Sequence, residues 1–179
     1  MAAIYLIRHG QASFGKADYD QLSDKGSNQA KILGKYWRAL PAPEKIFSGD
    51  MLRHAQTAEF FLSAYQRRNL NLAVHTHSGF NEFNHLDVLG QYKEQWQDPN
   101  KINAYIAEQP SDKSFQQEFL KALKRWMYGD FDDQYQESWL QFKRRCVAAL
   151  QDVIKQELNI YSAANAKSMK TFQATKNIF

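Results

Sequence analysis

A single cysteine among 179 residues, Cys146, excludes an internal disulfide. It falls in a helical pattern with no histidine close by in the chain, so it reads as a small apolar packing residue rather than a nucleophile. No apolar run approaches the length that crosses a bilayer, and the mean hydropathy is −0.64. The start of the chain has neither the basic flank nor the apolar stretch of an export signal. With no disulfide framework, the expected location is cytoplasmic, with no membrane partner. There are no internal repeats. Nor is there a block of one-sign charge. The net charge is +4 and the pI about 9.1, a mild bias towards anionic ligands. Arg67-Arg68, Lys124-Arg125 and Lys143-Arg144-Arg145 lie in helical patterns among acidic and amide residues. They read as solvated helix faces, so nucleic acid is not an expected partner. Two further absences matter below: no histidine follows His85, and no glycine lies in 159–179.

What is present suits one domain, long enough to bury roughly 70% of its unfolded surface. The run Ile4-Tyr5-Leu6-Ile7 reads as a strand buried on both faces. It stops at Arg8-His9-Gly10-Gln11, where Gly10 lets the backbone turn and lets another group come close. At the mouth of a central strand in an open α/β sheet, ligands bind. Arginine offers a rigid fork of donors suited to phosphate, and histidine is a nucleophile that can be neutral near pH 7. Taken alone, the tripeptide reads equally well as a strand end carrying two solvated basic residues.

Ser23 is the expected cap of a helix whose stripe is Ala30, Leu33, Trp37 and Leu40, closed by Pro41 and Pro43. Residues 45–49 read as a second strand. A helix over 50–68 follows, with Asp50 as its candidate cap, Met51, Ala55, Ala58, Leu62 and Tyr65 as its apolar face, and Arg53 in its first turn. That helix start favours anions. Residues 72–77 read as a third strand with His75 and His77 on one face. With no third ligand nearby they read as surface histidines before metal ligands. Glu82 lies between Phe80 and Phe83. On local grounds it is a solvated loop carboxylate; in an apolar setting it would stay protonated and serve as a general acid. Residues 86–135 carry no strand signal. A helix over 111–128 presents Phe115, Phe119, Leu123 and Trp126 to one side. Another, over 138–158, turns Trp139, Phe142, Cys146, Leu150 and Val153 inward. Strand–helix alternation argues for a mostly parallel sheet with helices on both faces.

Four segments in order resemble the histidine phosphatase superfamily, also called the phosphoglycerate mutase-like family. Leu6-Ile7-Arg8-His9-Gly10-Gln11 resembles its opening Arg-His-Gly motif, and Leu22 to Ala30 its Leu-Ser/Thr-x-x-Gly-x-x-Gln-Ala segment. Met51-Leu52-Arg53-His54-Ala55-Gln56-Thr57-Ala58 resembles its Arg-Ala-x-Gln-Thr-Ala helix, and Phe80-Asn81-Glu82-Phe83 its acidic motif. The resemblance implies a three-layer α/β/α fold with a mostly parallel sheet. It makes 1–160 the phosphatase-like domain, 86–135 a helical lid over the site, and 161–179 an atypical polar tail. It implies a phosphomonoester phosphatase acting on a small phosphorylated substrate, with no metal and no cofactor. His9 would attack phosphorus, Arg8, Arg53 and Gln11 would hold the phosphate, and Glu82 would protonate the leaving alcohol and then help water attack the phosphohistidine. Uncatalysed phosphomonoester hydrolysis is slow enough that enzymes supply up to ~10²¹-fold, so the geometry of all these groups matters.

Two departures from the family pattern stand out. Gly15 takes the place where many mutases carry Asn, which weakens a mutase-type phosphotransferase reading more than a phosphatase one. The family's later strand, ending in a second His-Gly or Ser-Gly-Gly, has no counterpart after residue 158. The fold is therefore expected to be truncated at its C-terminal side, with an open sheet edge through which a second copy could pair as a homo-oligomer. The expected activity is weak or lost for want of that motif. The alternative to the enzyme is a non-catalytic module that binds a phosphorylated ligand.

Overall fold

The structure, a computed structural model, describes residues 3–13, 20–66, 72–109 and 112–164, with backbone alone at 112 and 157–164. It is mainly helical with a small parallel sheet of two strands. The chain divides into two compact units, Met1–Thr76 with Ala149–Phe179, and His77–Ala148.

In the first unit, α1 (Asp24–Trp37) begins where Ser23 leaves the helical region and its side chain accepts the Gly26 N–H at 3.1 Å. That is the cap expected from sequence. Ala30 and Trp37 are buried on its inner stripe. Gly34 faces α2 (Leu52–Tyr65) so closely that a Cβ there would strike the Phe61 carbonyl. Arg38, just past α1, donates to the carbonyls of Ala64 and Tyr65, capping the exposed carbonyl end of α2. Strands β1 (Ile46–Ser48) and β2 (Val74–Thr76) flank α2 and pair in parallel, Ile46 with Val74 and Ser48 with Thr76. Parallel strands need such a crossover. Trp37, Phe61 and Tyr65 form the core of this unit, with Leu33, Leu40, Ile46, Leu62 and Leu72 packed around them.

Three expectations are corrected here. Ile4 to Ile7 is not a buried central strand: it has no strand pairing among the described residues, and Ile4, Tyr5, Leu6 and Ile7 are 51, 57, 81 and 49% exposed. A strand exists only through its neighbours, and β1 and β2 pair with each other. The run is anchored by the Tyr5 ring, edge-on to Trp37 at 4.9 Å, and by the residues that follow Arg8. Second, Asp50 is not the N-cap residue of α2. The N-cap position is Met51, and Asp20 reaches in to accept the Leu52 N–H at 2.8 Å. Third, Tyr65 and Leu62 of the expected α2 face reach the core, but Ala55 is exposed, and Arg53, Phe61 and Ala64 are buried with Tyr65.

In the second unit, α3 (His85–Tyr92), α4 (Pro99–Glu108) and α5 (Asp112–Tyr128) surround Trp96, Trp126, Leu89 and Val88, each at most 2% exposed. Asn84 caps α3, accepting from the Leu86 N–H at 3.1 Å, and Asp98 caps α4 at 2.9 Å ahead of Pro99. No strand occurs among its described residues. The division between the units falls inside α6 (Trp139–Ala164), which runs past the expected end at 158. Of the expected polar tail, 161–164 continue α6 and 165–179 lie outside the described residues.

Two arginines read as solvated are structural. Arg125 donates to Tyr135 Oη and Gln134 Oε1, with its guanidinium over the Phe131 ring. Arg145 holds Glu137 by two bonds, of 2.7 and 2.8 Å, and gathers three backbone carbonyls. The planar fork of arginine allows this, and helical periodicity does not reveal it.

Candidate active site

Gly10 is where the site begins. It is buried, and a Cβ on it would collide with the Gly26 carbonyl, just as a Cβ on Gly26 would collide with that of Gln11. The loop that carries His9 and the start of α1 therefore touch backbone to backbone, a contact only glycine permits. Hydrogen bonds fasten it. The Ser23 N–H donates to Gln11 O at 2.8 Å, the Ser13 N–H to Gln21 O at 2.8 Å, and Ala12 bridges Leu22 in antiparallel fashion. Gln29 Oε1 accepts the Gln11 N–H at 2.9 Å, and Gln56 Oε1 accepts the Leu22 N–H at 2.8 Å. Thr57 Oγ1 accepts the Gly10 N–H at 3.1 Å while donating to Arg53 O at 2.7 Å. The amide and hydroxyl residues of α1 and α2 thus hold one short loop from two sides.

His9 is half-buried, its Nδ1 2.5 Å from Gly10 O. A carbonyl can only accept, so in this contact Nδ1 carries the proton. The ring lies 5.5 Å from that of His54, centroid to centroid, at 40°. A cavity of about 280 Å³ opens here, lined by Arg8, His9, Gly10, Gln29, Ala30, Leu33 and Thr57. A larger hollow of about 750 Å³ in the second unit is lined by Lys93, Glu94, Gln95, Gln97, Asp98 and Lys101. It has no histidine in its lining, so the smaller cavity is the better candidate for histidine chemistry.

The sequence-derived candidates fall as follows. Arg8 and His9 line the same cavity, and Arg8 is exposed. Arg53 is joined to the loop through Thr57 but is 2% exposed, with its Nη1 2.6 Å from Asp20 Oδ1. Gln11 is exposed and its Oε1 lies 3.1 Å from Ser23 Oγ. Glu82 belongs to the second unit and is half-buried. Its neighbour Phe83 packs on Trp126 at 4.7 Å and Phe142 at 5.9 Å, and Arg145 Nη1 holds the carbonyls of Ser78, Gly79 and Asn81 at 3.0–3.2 Å just before it.

His75 and His77 do not act as a pair. His75 faces the Phe47 ring at 5.3 Å, and His77 Nδ1 caps the 3₁₀ turn Ser78–Phe80 by accepting the Gly79 N–H at 3.0 Å. Among the described residues no cluster of three or more His, Cys, Asp or Glu could hold a metal ion. Cys146 is half-buried, and burial pushes its thiol above the ordinary value, which keeps it a poor nucleophile. No described helix is long and apolar enough to cross a membrane.

Asp20, His54, Thr57 and Arg145 were not picked out as functional candidates by sequence reasoning. For His54 and Thr57 a signal was present, since both lie within one turn of Arg53 on a helix. For Asp20 and Arg145 the contacts span 33 and 64–67 residues, and no local pattern announces them.

A family model described as the histidine phosphatase superfamily (branch 1) matches residues 4–125. No curated protein and no solved structure matches the chain.

Proposed function

The chain belongs to the histidine phosphatase superfamily, and from that membership we propose a phosphomonoester phosphatase that works through a phosphohistidine. One observation carries the reading most: His9 and Arg8 line one cavity, and His9 Nδ1 donates to Gly10 O, so Nε2 is the nitrogen proposed to react.

In the proposed reaction the Nε2 lone pair attacks phosphorus, and the bond from phosphorus to the leaving oxygen breaks. Glu82, protonated, gives its proton to that oxygen, and the alcohol departs. Water then attacks the phosphohistidine, Glu82 takes the proton of the water, and the P–N bond breaks to release phosphate. Arg8 and Arg53, with Gln11, hold the equatorial oxygens, where two guanidiniums stabilise the spreading charge. The fold proposed around this chemistry is the three-layer α/β/α arrangement of the family, with 86–135 as the element that selects the small phosphorylated substrate. The exposed run from Ile4 to Ile7 is the proposed edge for pairing with a second copy.

The test is turnover of a generic aryl phosphate by the full chain. Hydrolysis that His9→Ala abolishes and Glu82→Gln slows supports the reading. No turnover and no labelling of His9 removes the enzyme. A phosphate-dependent rise in melting temperature without hydrolysis would then identify a phospho-ligand-binding module instead.

A further inference from the structure

Resting on the phosphatase reading of the site at His9, we propose that Asp20 is a positioning residue that holds in place for phosphate the Arg53 guanidinium, whose own carbonyl is bonded by the cavity-lining Thr57. Arg53 is 2% exposed, and a guanidinium taken that far from water needs a compensating charge and fixed hydrogen bonds. Asp20 supplies the charge and one of those hydrogen bonds. Its Oδ1 accepts from Arg53 Nη1 at 2.6 Å, and its Oδ2 accepts the Leu52 N–H at 2.8 Å. With both oxygens engaged across the first turn of α2, the carboxylate is fixed relative to the helix, and the guanidinium is fixed through it. The N-cap residue Met51 gives that helix start no side-chain bond.

Asp20 is itself held by the residues that follow it. Gln21 O accepts the Ser13 N–H, and Leu22 N–H donates to Gln56 on α2. From Arg53 the connection continues to the nucleophile: Thr57 Oγ1 joins Arg53 O to the Gly10 N–H, and Gly10 O holds the His9 ring. One set of hydrogen bonds therefore spans from Asp20 to the reacting imidazole. The competing view makes Asp20 a resident anion that phosphate must displace from Arg53. The half-exposed side chain, 41% accessible, is compatible with departure. The second bond to Leu52 and the pinned residues after it favour a fixed anchor.

The two views predict opposite results for the full chain carrying Asp20→Asn. An Asn oxygen still accepts the Leu52 N–H, so the helix start is kept while the charge is removed. The first readout is the ¹⁵N spectrum of the arginine guanidiniums, with Arg53→Lys used to assign Arg53. Slow-rotating Arg53 Nη signals are expected in the unaltered protein and are expected to vanish in Asp20→Asn. The second readout is affinity for inorganic phosphate, taken from the dependence of melting temperature on phosphate. It is expected to fall about tenfold in Asp20→Asn, the size expected for a lost charged hydrogen bond, and to recover in part in Asp20→Glu. Arg53 signals that survive in Asp20→Asn, or a phosphate affinity that rises, overturn the proposal. If the unaltered protein shows no response to phosphate, the phosphatase reading of the pocket falls. The guanidinium spectrum still decides whether Asp20 holds Arg53.

Discussion

Thr57 Oγ1 accepts the backbone N–H of Gly10 at 3.1 Å, across 47 residues of sequence. One hydroxyl thereby ties the helix that carries Arg53 to the loop that carries His9. Thr57→Val keeps the shape and removes the acceptor. It should cost about 1–3 kcal/mol, because the buried Gly10 amide is left without its partner. A chain of this size should then melt several degrees lower, at roughly 2–4 °C per kcal/mol. Thr57→Ser should melt close to the unaltered protein. Equal melting temperatures for Val and Ser would show that the bond contributes nothing.

Gly26 and Gly90 are both helical and buried, yet alanine should act oppositely at the two. At Gly26 a Cβ meets backbone, the Gln11 carbonyl, which cannot move without shifting the loop that carries His9. At Gly90 the nearest atom is Gln97 Cγ at 3.0 Å, and that side chain can give. Gly26→Ala should lose about 1–3 kcal/mol from overpacking. Gly90→Ala should be neutral or gain up to ~1 kcal/mol from helix propensity. Urea unfolding of the two variants distinguishes them.

Arg145 and Glu137 should behave as a unit that supports the segment before Glu82. Arg145→Lys removes the fork that spans the Glu137 carboxylate and three carbonyls. The expected loss is about 1–3 kcal/mol, scaled down from a fully buried pair because both side chains are part-exposed. Trp126 reports on it directly, since its Nε1–H donates to Glu137 O at 2.9 Å. A shift in tryptophan fluorescence is expected in Arg145→Lys, and an unchanged spectrum would count against the unit.

Glu118 should govern part of the acid limb of stability. Hydrogen bonds from Lys121, then Lys93 and Tyr92, lower its carboxyl from the ordinary 4.5 to about 2. A carboxylate held lower in the folded protein stabilises the fold fully above its unfolded value, and that contribution is lost as pH falls through the folded one. Stability should therefore drop between about pH 4.5 and 2. Glu118→Gln should flatten the profile in that window alone. An identical acid profile for the variant would show that the network carries no linkage.

Much of the helical part was legible because its signals are local. The Ser23 cap and the Ala30, Leu33, Trp37 stripe sit within a few turns of each other, and the structure has both. Arg8 and His9, a guanidinium and an imidazole at a glycine, stand out in the sequence, and both line one cavity. What failed was the strand before them. Four apolar residues predict burial only if a neighbour strand covers them, and that depends on distant chain. Capping of α2 failed for a similar reason: Asp50 is adjacent in sequence, but Asp20, 32 residues away, reaches the Leu52 amide. Arg145 looked like a solvated helix charge until Glu137 and the 78–81 carbonyls were brought to it.

The most direct test of the central claim is the position of phosphate on the protein after brief mixing with an aryl phosphate and denaturation in base, read by ³¹P NMR and fragment mass. Acid-labile, base-stable phosphate on His9 Nε2 is expected, absent from His9→Ala. Phosphate on Nδ1 of His9, on His54, or on no histidine while substrate is turned over would contradict it.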